Sequence, residues 1–66
     1  MITVNGEQRA LDACPVRELL AHEGIDPERR GVAVAVDGEV VPRGAWASTV
    51  VPAGASVEIV KPFAGG

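Results

Sequence analysis

The stretch Ala33-Val34-Ala35-Val36-Asp37-Gly38-Glu39-Val40-Val41-Pro42 decides how this chain folds. Val32, Val34 and Val36 alternate with Ala33 and Ala35, so the run is apolar on both faces and bulkier on one. That is the pattern of an interior strand, which places it at the centre of a sheet. Asp37-Gly38 supplies two residues that tolerate positive φ, the signature of a tight hairpin turn, and Glu39-Val40-Val41 resumes as the returning strand. Pro42 cannot donate to a ladder and ends it.

Upstream, Ile2-Thr3-Val4 alternates apolar and polar, Asn5-Gly6 repeats the turn chemistry, and residues 7–11 read as a second strand. Residues 12–15 break the pattern. Val16, Leu19 and Leu20 then fall at i, i+3 and i+4, with Arg17, Glu18 and His22 off that stripe, which predicts an amphipathic helix over residues 15–23. Pro15 suits its first turn and Gly24 the left-handed position past its end. Asp12 is the candidate N-cap, because Cys14 is a poor one. Residues 25–31 are polar, contain Pro27, and read as a connecting loop.

Downstream, residues 43–48 are predicted to form a short turn or helical piece carrying Trp46, residues 52–55 a turn, and Ser56-Val57-Glu58-Ile59-Val60 the last strand. A single helix on one face of a mixed sheet of four or five strands is an α+β layer solution that buries Leu19 and Leu20 against the valines. The expectation is one domain over residues 1–66 with a tail at 61–66 and no internal repeat.

Composition narrows the function. A chain of 66 residues, 47% hydrophobic, has material for one small core and little for a catalytic cleft. Six Lys and Arg against nine Asp and Glu leave a net charge of −3, which argues against tracking phosphates and against attraction to an anionic membrane. No apolar run approaches the roughly 20 residues that span a bilayer. Cys14 is the lone cysteine and Met1 leads straight into a strand-like run, so a reduced, cytoplasmic protein with protein partners is expected.

Conventional chemistry is thin. One His and one Cys do not make the three or four converging ligands of a zinc site, so no metal is expected. Cys14 reads as partly buried packing, His22 as a solvated helix residue, and Trp46 as an anchor of the 43–48 segment. What remains is the end, Lys61-Pro62-Phe63-Ala64-Gly65-Gly66. Two terminal residues without Cβ suit an extended segment that is threaded into a narrow channel of another protein. There the Gly66 carboxylate can be activated by adenylation, which turns a poor electrophile into one that sulfur attacks.

Over its whole length the chain resembles the thiamine-biosynthesis sulfur carrier family of ubiquitin-like β-grasp proteins. The resemblance lies in Ala33 through Val41-Pro42-Arg43, in Trp46, in Gly54 before Val57-Glu58-Ile59-Val60, and in Gly65-Gly66. Val4-Asn5-Gly6 and Val16-Arg17-Glu18-Leu19-Leu20 fit as well. Cys14-Pro15 departs from it, since the family often carries a Thr-type cap there.

The resemblance implies that Gly66 is adenylated by an E1-like adenylating enzyme and converted to a thiocarboxylate with sulfur from a donor such as a cysteine desulfurase. Thiazole synthase then consumes it. ATP and Mg²⁺ belong to the activating partner, the carrier binds no cofactor of its own and is not an enzyme, and neither nucleic acid nor membrane takes part. Gly65 is the threading residue, and Lys61, Phe63 and Ala64 are the partner-contact candidates beside the sheet face of the last strand. The small subunit of molybdopterin synthase shares the fold and the Gly-Gly end, but its chains tend to be longer. The short loops and the Val41-Pro42-Arg43 plus Trp46 pattern favour the thiamine branch. A ubiquitin-like modifier and a β-grasp interaction module with an inert tail are the further readings.

Overall fold

Two hairpins, one helix and a late strand assemble into a mixed sheet with the helix on one face. The structure, a computed structural model, describes residues 1–62. In chain order it contains β1 (Ile2–Val4), β2 (Glu7–Arg9), β3 (Cys14–Pro15), α1 (Val16–His22), β4 (Ala33–Val36), β5 (Glu39–Val40), a 3-10 turn (Arg43–Ala45), β6 (Val50–Val51) and β7 (Ser56–Val60). The main sheet has five strands in the order β2-β1-β7-β4-β5. β1 runs parallel to β7, and the pairs β1–β2, β4–β7 and β4–β5 are antiparallel.

The expected strands are present, with corrections that have physical reasons. β2 stops at Arg9 instead of running to residue 11, and Leu11 turns back to bond Arg9 through its N–H at 2.8 Å. β4 is interior but not central. The centre belongs to β7, the one strand that pairs with both hairpins, through β1 and β4. Its pattern of exposed and buried residues alternates without a break, so Val57 and Ile59 enter the core while Ser56, Glu58 and Val60 face outward.

Asn5 and Asp37 take positive φ of 49° each, with Gly6 and Gly38 following at 83° and 84°, as the two-residue turns require. Both turn side chains also grip β7. The Asp37 carboxylate accepts from Ser56 N–H at 2.9 Å. Asn5 donates to the Ile59 carbonyl at 3.1 Å and accepts from Ile59 N–H at 2.8 Å, so its amide acts as a short extension of β1 alongside β7.

The helix begins at Val16, with Pro15 in the extended N-cap position and no side-chain cap. Asp12 therefore does not cap it. The first helical N–H groups are instead satisfied across the fold, Val16 donating to the Thr49 carbonyl at 2.9 Å and Arg17 to that of Trp46 at 3.1 Å. The same geometry pairs Cys14 with Val51 and Pro15 with Val50, forming a second, two-stranded sheet. At the other end Ile25 N–H bonds the Leu20 carbonyl at 2.9 Å and Gly24 N–H that of Ala21 at 3.0 Å, with Gly24 at φ +76°. This is a Schellman ending, and its hydrophobic contact brings Ile25 in from the loop as a buried residue beside Leu20.

The core holds Ile2, Val4, Val16, Leu19, Leu20 and Val34 together with Trp46, Val51, Val57 and Ile59. Trp46 is the anchor expected of it, since its ring is buried and its indole N–H donates to the Val41 carbonyl at 2.9 Å. No buried side-chain polar atom among the described residues lacks a partner.

Candidate functional site

The sheet is organised around the strand that leads to the chain end. Within β7, pairing to β1 holds Ser56 and Val57, the Asn5 amide holds Ile59, and β4 holds Val57 through Val60. Lys61 and Pro62 follow, both exposed. Pro62 sits over Gly31, whose Cβ, if it had one, would lie 3.3 Å from the proline Cγ. Phe63, Ala64, Gly65 and Gly66 lie outside the described residues.

Beside this exit is the outer face of the sheet. Register places Ala33 opposite Val60, Ala35 opposite Glu58 and Val40 opposite Ala35, so these side chains share that face. Val40 is 70% exposed and Val60 62% exposed, an apolar strip with Glu58 within it. Isolated surface valines are ordinary, but a strip that adjoins the exit strand suits contact with a protein surface.

The titratable residues singled out from sequence do not converge. His22 is exposed on the helix, 3.8 Å from the Glu23 carboxylate, which is itself engaged by Arg9 at 3.1 Å. That hydrogen bond and the charge of Glu23 raise the Arg9 pKa and tie β2 to the helix end. Among the described residues no group of three or more His, Cys, Asp or Glu side chains is placed to hold a metal ion, and no helix is long and apolar enough to cross a membrane.

A depression of about 410 Å³ opens among Val36, Asp37, Glu39, Pro42, Thr49 and Pro52. It carries the carboxylates of Asp37 and Glu39 and the Thr49 hydroxyl, with no His, Cys or Lys among its lining residues. Val40 and Val41 line it as well, so it runs along β5 at the edge of the sheet.

Cys14 is half-buried against the core in β3. Burial, and then the nearby Glu18 carboxylate, push its thiol pKa up. A raised pKa means less thiolate near neutrality, the opposite of an activated nucleophile. At about pH 8, iodoacetamide should alkylate Cys14 more slowly in the folded protein than in the urea-unfolded chain. Equal or faster reaction in the folded state would contradict the packing role.

Sequence reasoning missed the tertiary contacts of three residues. Asn5 was legible only as turn chemistry, Gly31 only as the end of a loop, and Arg43 only as part of a motif. Arg43 stacks with its guanidinium 4.5 Å from the Trp46 ring centre and donates to the carbonyls of Pro27 and Arg29. The loop register that brings those carbonyls within reach is a tertiary fact.

A helix laid on a mixed sheet whose central strand is the last one, parallel to the first, defines a ubiquitin-like β-grasp protein. The ThiS family model matches residues 2–66. The crystal structure of a thiamine biosynthesis protein (ThiS) from Geobacter metallireducens is similar at 32% identity and TM-score 0.75, covering 98% of this chain and 97% of that one. The solution structure of a thiamine biosynthesis protein from the same organism aligns at 34% identity and TM-score 0.78, covering 98% and 86%. Comparison with curated protein sequences gives no match. The chain belongs to the ThiS family, the ubiquitin-like sulfur-carrier family that its sequence resembles.

Proposed function

We propose that this protein carries sulfur for thiazole formation in thiamine biosynthesis, as a thiocarboxylate at Gly66. The observation that carries the reading is that the family match runs through the tail to Gly66 itself, beyond the domain that residues 1–62 build. The Gly66 carboxylate oxygen attacks the α-phosphorus of ATP on an E1-like adenylating enzyme, and pyrophosphate leaves. The outer sulfur of a persulfide donor, such as a cysteine desulfurase, then displaces AMP at the carbonyl to give an acyl disulfide, and a thiol of the partner cleaves its S–S bond, releasing the thiocarboxylate and leaving a disulfide on the partners. Thiazole synthase accepts the sulfur. In this reading the chain is a protein co-substrate, and ATP and Mg²⁺ are handled by the activating partner.

The contribution of this chain is a docking surface and a presented end. The outer face at Val60, Ala33, Ala35 and Val40 docks on the partners, with Lys61, Phe63 and Ala64 continuing the contact along the tail. Gly65, having no side chain, passes a channel that a Cβ would obstruct.

Incubation with the adenylating enzyme, ATP and a sulfur source, read by intact mass, tests the reading. The expected product is heavier by one exchange of oxygen for sulfur and maps to Gly66. Gly65→Val should fold like the parent chain and convert poorly. An unchanged mass, where a known carrier is converted, would remove the sulfur-carrier reading and leave an interaction module. A mass change mapping to Cys14 would move the chemistry to a persulfide on that thiol.

A further inference from the structure

The segment between α1 and β4 is held with more fixed contacts than a connecting loop of its composition requires. The Asp26 carboxylate accepts from Glu28 N–H at 2.9 Å, and Arg29 N–H donates to the Asp26 carbonyl at 3.0 Å. Glu28 pairs with Arg17 of the helix at 3.1 Å. Arg43 spans the segment from outside, one guanidinium donating to two carbonyls, those of Pro27 and Arg29. That guanidinium lies on the ring of Trp46, which is buried and hydrogen-bonded in the core. A planar, delocalised cation is suited to stacking and forked donation together, whereas a lysine ammonium serves one of these at a time.

This arrangement ends at Gly31, two residues after the second carbonyl that Arg43 holds. Gly31 has φ +84°, and its bare Cα faces the Pro62 ring. A methyl group there would meet the ring Cγ at 3.3 Å, slightly closer than an ordinary van der Waals contact, with Cβ at 3.4 Å. Pro62 therefore packs against the side of Gly31 from which a side chain would project. Its own φ is restricted by the pyrrolidine ring, so a proline seated at this point fixes the course of the backbone more firmly than another residue would.

We propose that Arg43 and Gly31 are positioning residues for the chemistry at Gly66. Arg43 fixes the loop, the loop presents Gly31, and Gly31 seats Pro62, so that the chain leaves the last strand along one line. The inference rests on the reading of Gly66 as the reacting end. It adds that the domain sets the direction of the tail as well as providing a docking face. The outer-face valines determine whether the partner binds, and the Arg43–Gly31–Pro62 relay determines how often a bound carrier has its terminus in the active site.

The test is steady-state kinetics of pyrophosphate release with this protein as the varied substrate of the adenylating enzyme. Gly31→Ala, Pro62→Ala, Arg43→Lys and the Gly31→Ala/Pro62→Ala double variant are compared, each checked by thermal melting. Misdirection lowers the productive fraction without touching the docking face, so kcat should fall about tenfold while KM stays within about twofold. Removing the ring takes away Cγ, the nearest atom, and leaves the new methyl only the residue-62 Cβ at 3.4 Å, so the double variant should lose less than the product of the two single effects. Should Gly31→Ala fail to fold, Pro62→Ala at an exposed position and Arg43→Lys carry the same expectation. Unchanged kinetics, or a KM increase at constant kcat, overturns the positioning role while leaving the function intact. If the unaltered protein is not adenylated at all, the functional reading falls and the positioning role falls with it.

Discussion

Removal of Gly66 alone is expected to abolish sulfur transfer and leave the thermal unfolding of the domain unchanged. In the proposed function, activation takes place at one carboxylate, and sulfur replaces a single oxygen atom of the last residue. A chain ending at Gly65 still presents a carboxylate, but one residue short, about 3.3–3.6 Å in an extended chain. Reacting atoms must approach to about 3–3.5 Å, so a shortfall of that size removes the reaction instead of slowing it slightly. Stability should not follow, because the core built by the described residues is complete at Ile59 and the strand ladder at Val60. Intact mass after incubation with the adenylating enzyme reads the first half and a thermal melt the second. A shortened chain that still gained sulfur would move the reacting group elsewhere in the molecule.

Leu20→Ala should have the largest effect on folding. Leu20 is fully buried on the sheet-facing stripe of α1, and its carbonyl accepts the Ile25 N–H that closes the helix. Truncating such a side chain costs about 2–5 kcal/mol, part transfer and part cavity. A domain of this length has a total of roughly 3–10 kcal/mol, taking typical stability per residue. The substitution thus removes a large share of it and should lower the melting temperature by at least about 10 °C. Val60→Ala, on the exposed face of β7, should stay within about 0.5 kcal/mol of the parent and serves as the control. A small shift for Leu20→Ala would mean that α1 does not cover the sheet as described.

Local chemistry was enough to place most elements. Asn5-Gly6 and Asp37-Gly38 can follow the twist of a hairpin at little cost, so both turns could be located without reference to the rest of the fold. The stripe of Val16, Leu19 and Leu20 and the alternation of Ser56 through Val60 each have a single period, 3.6 or 2, and both were read correctly. The Gly65-Gly66 end was likewise visible only as sequence.

Long-range geometry decided the rest. Which strand lies at the centre of the sheet depends on who pairs with whom, and β4, apolar on both faces, reads as central although β7 takes that place. Helix capping shows the same limit. Asp12 is the better local cap, yet the carbonyls of Trp46 and Thr49, about thirty residues away in sequence, satisfy the first helical N–H groups. Asn5 gripping Ile59, Arg43 holding the Pro27 and Arg29 carbonyls, and Gly31 seating Pro62 belong to this class. Turn type and periodicity arise from interactions between near neighbours, so the sequence alone determined the two hairpins, the helix, the last strand and the Gly-Gly end of this protein, but not the short pair β3 and β6. Pairing, capping at a distance and the seat of Pro62 on Gly31 depend on atoms brought together only by the closed sheet, and the tertiary structure alone decided them.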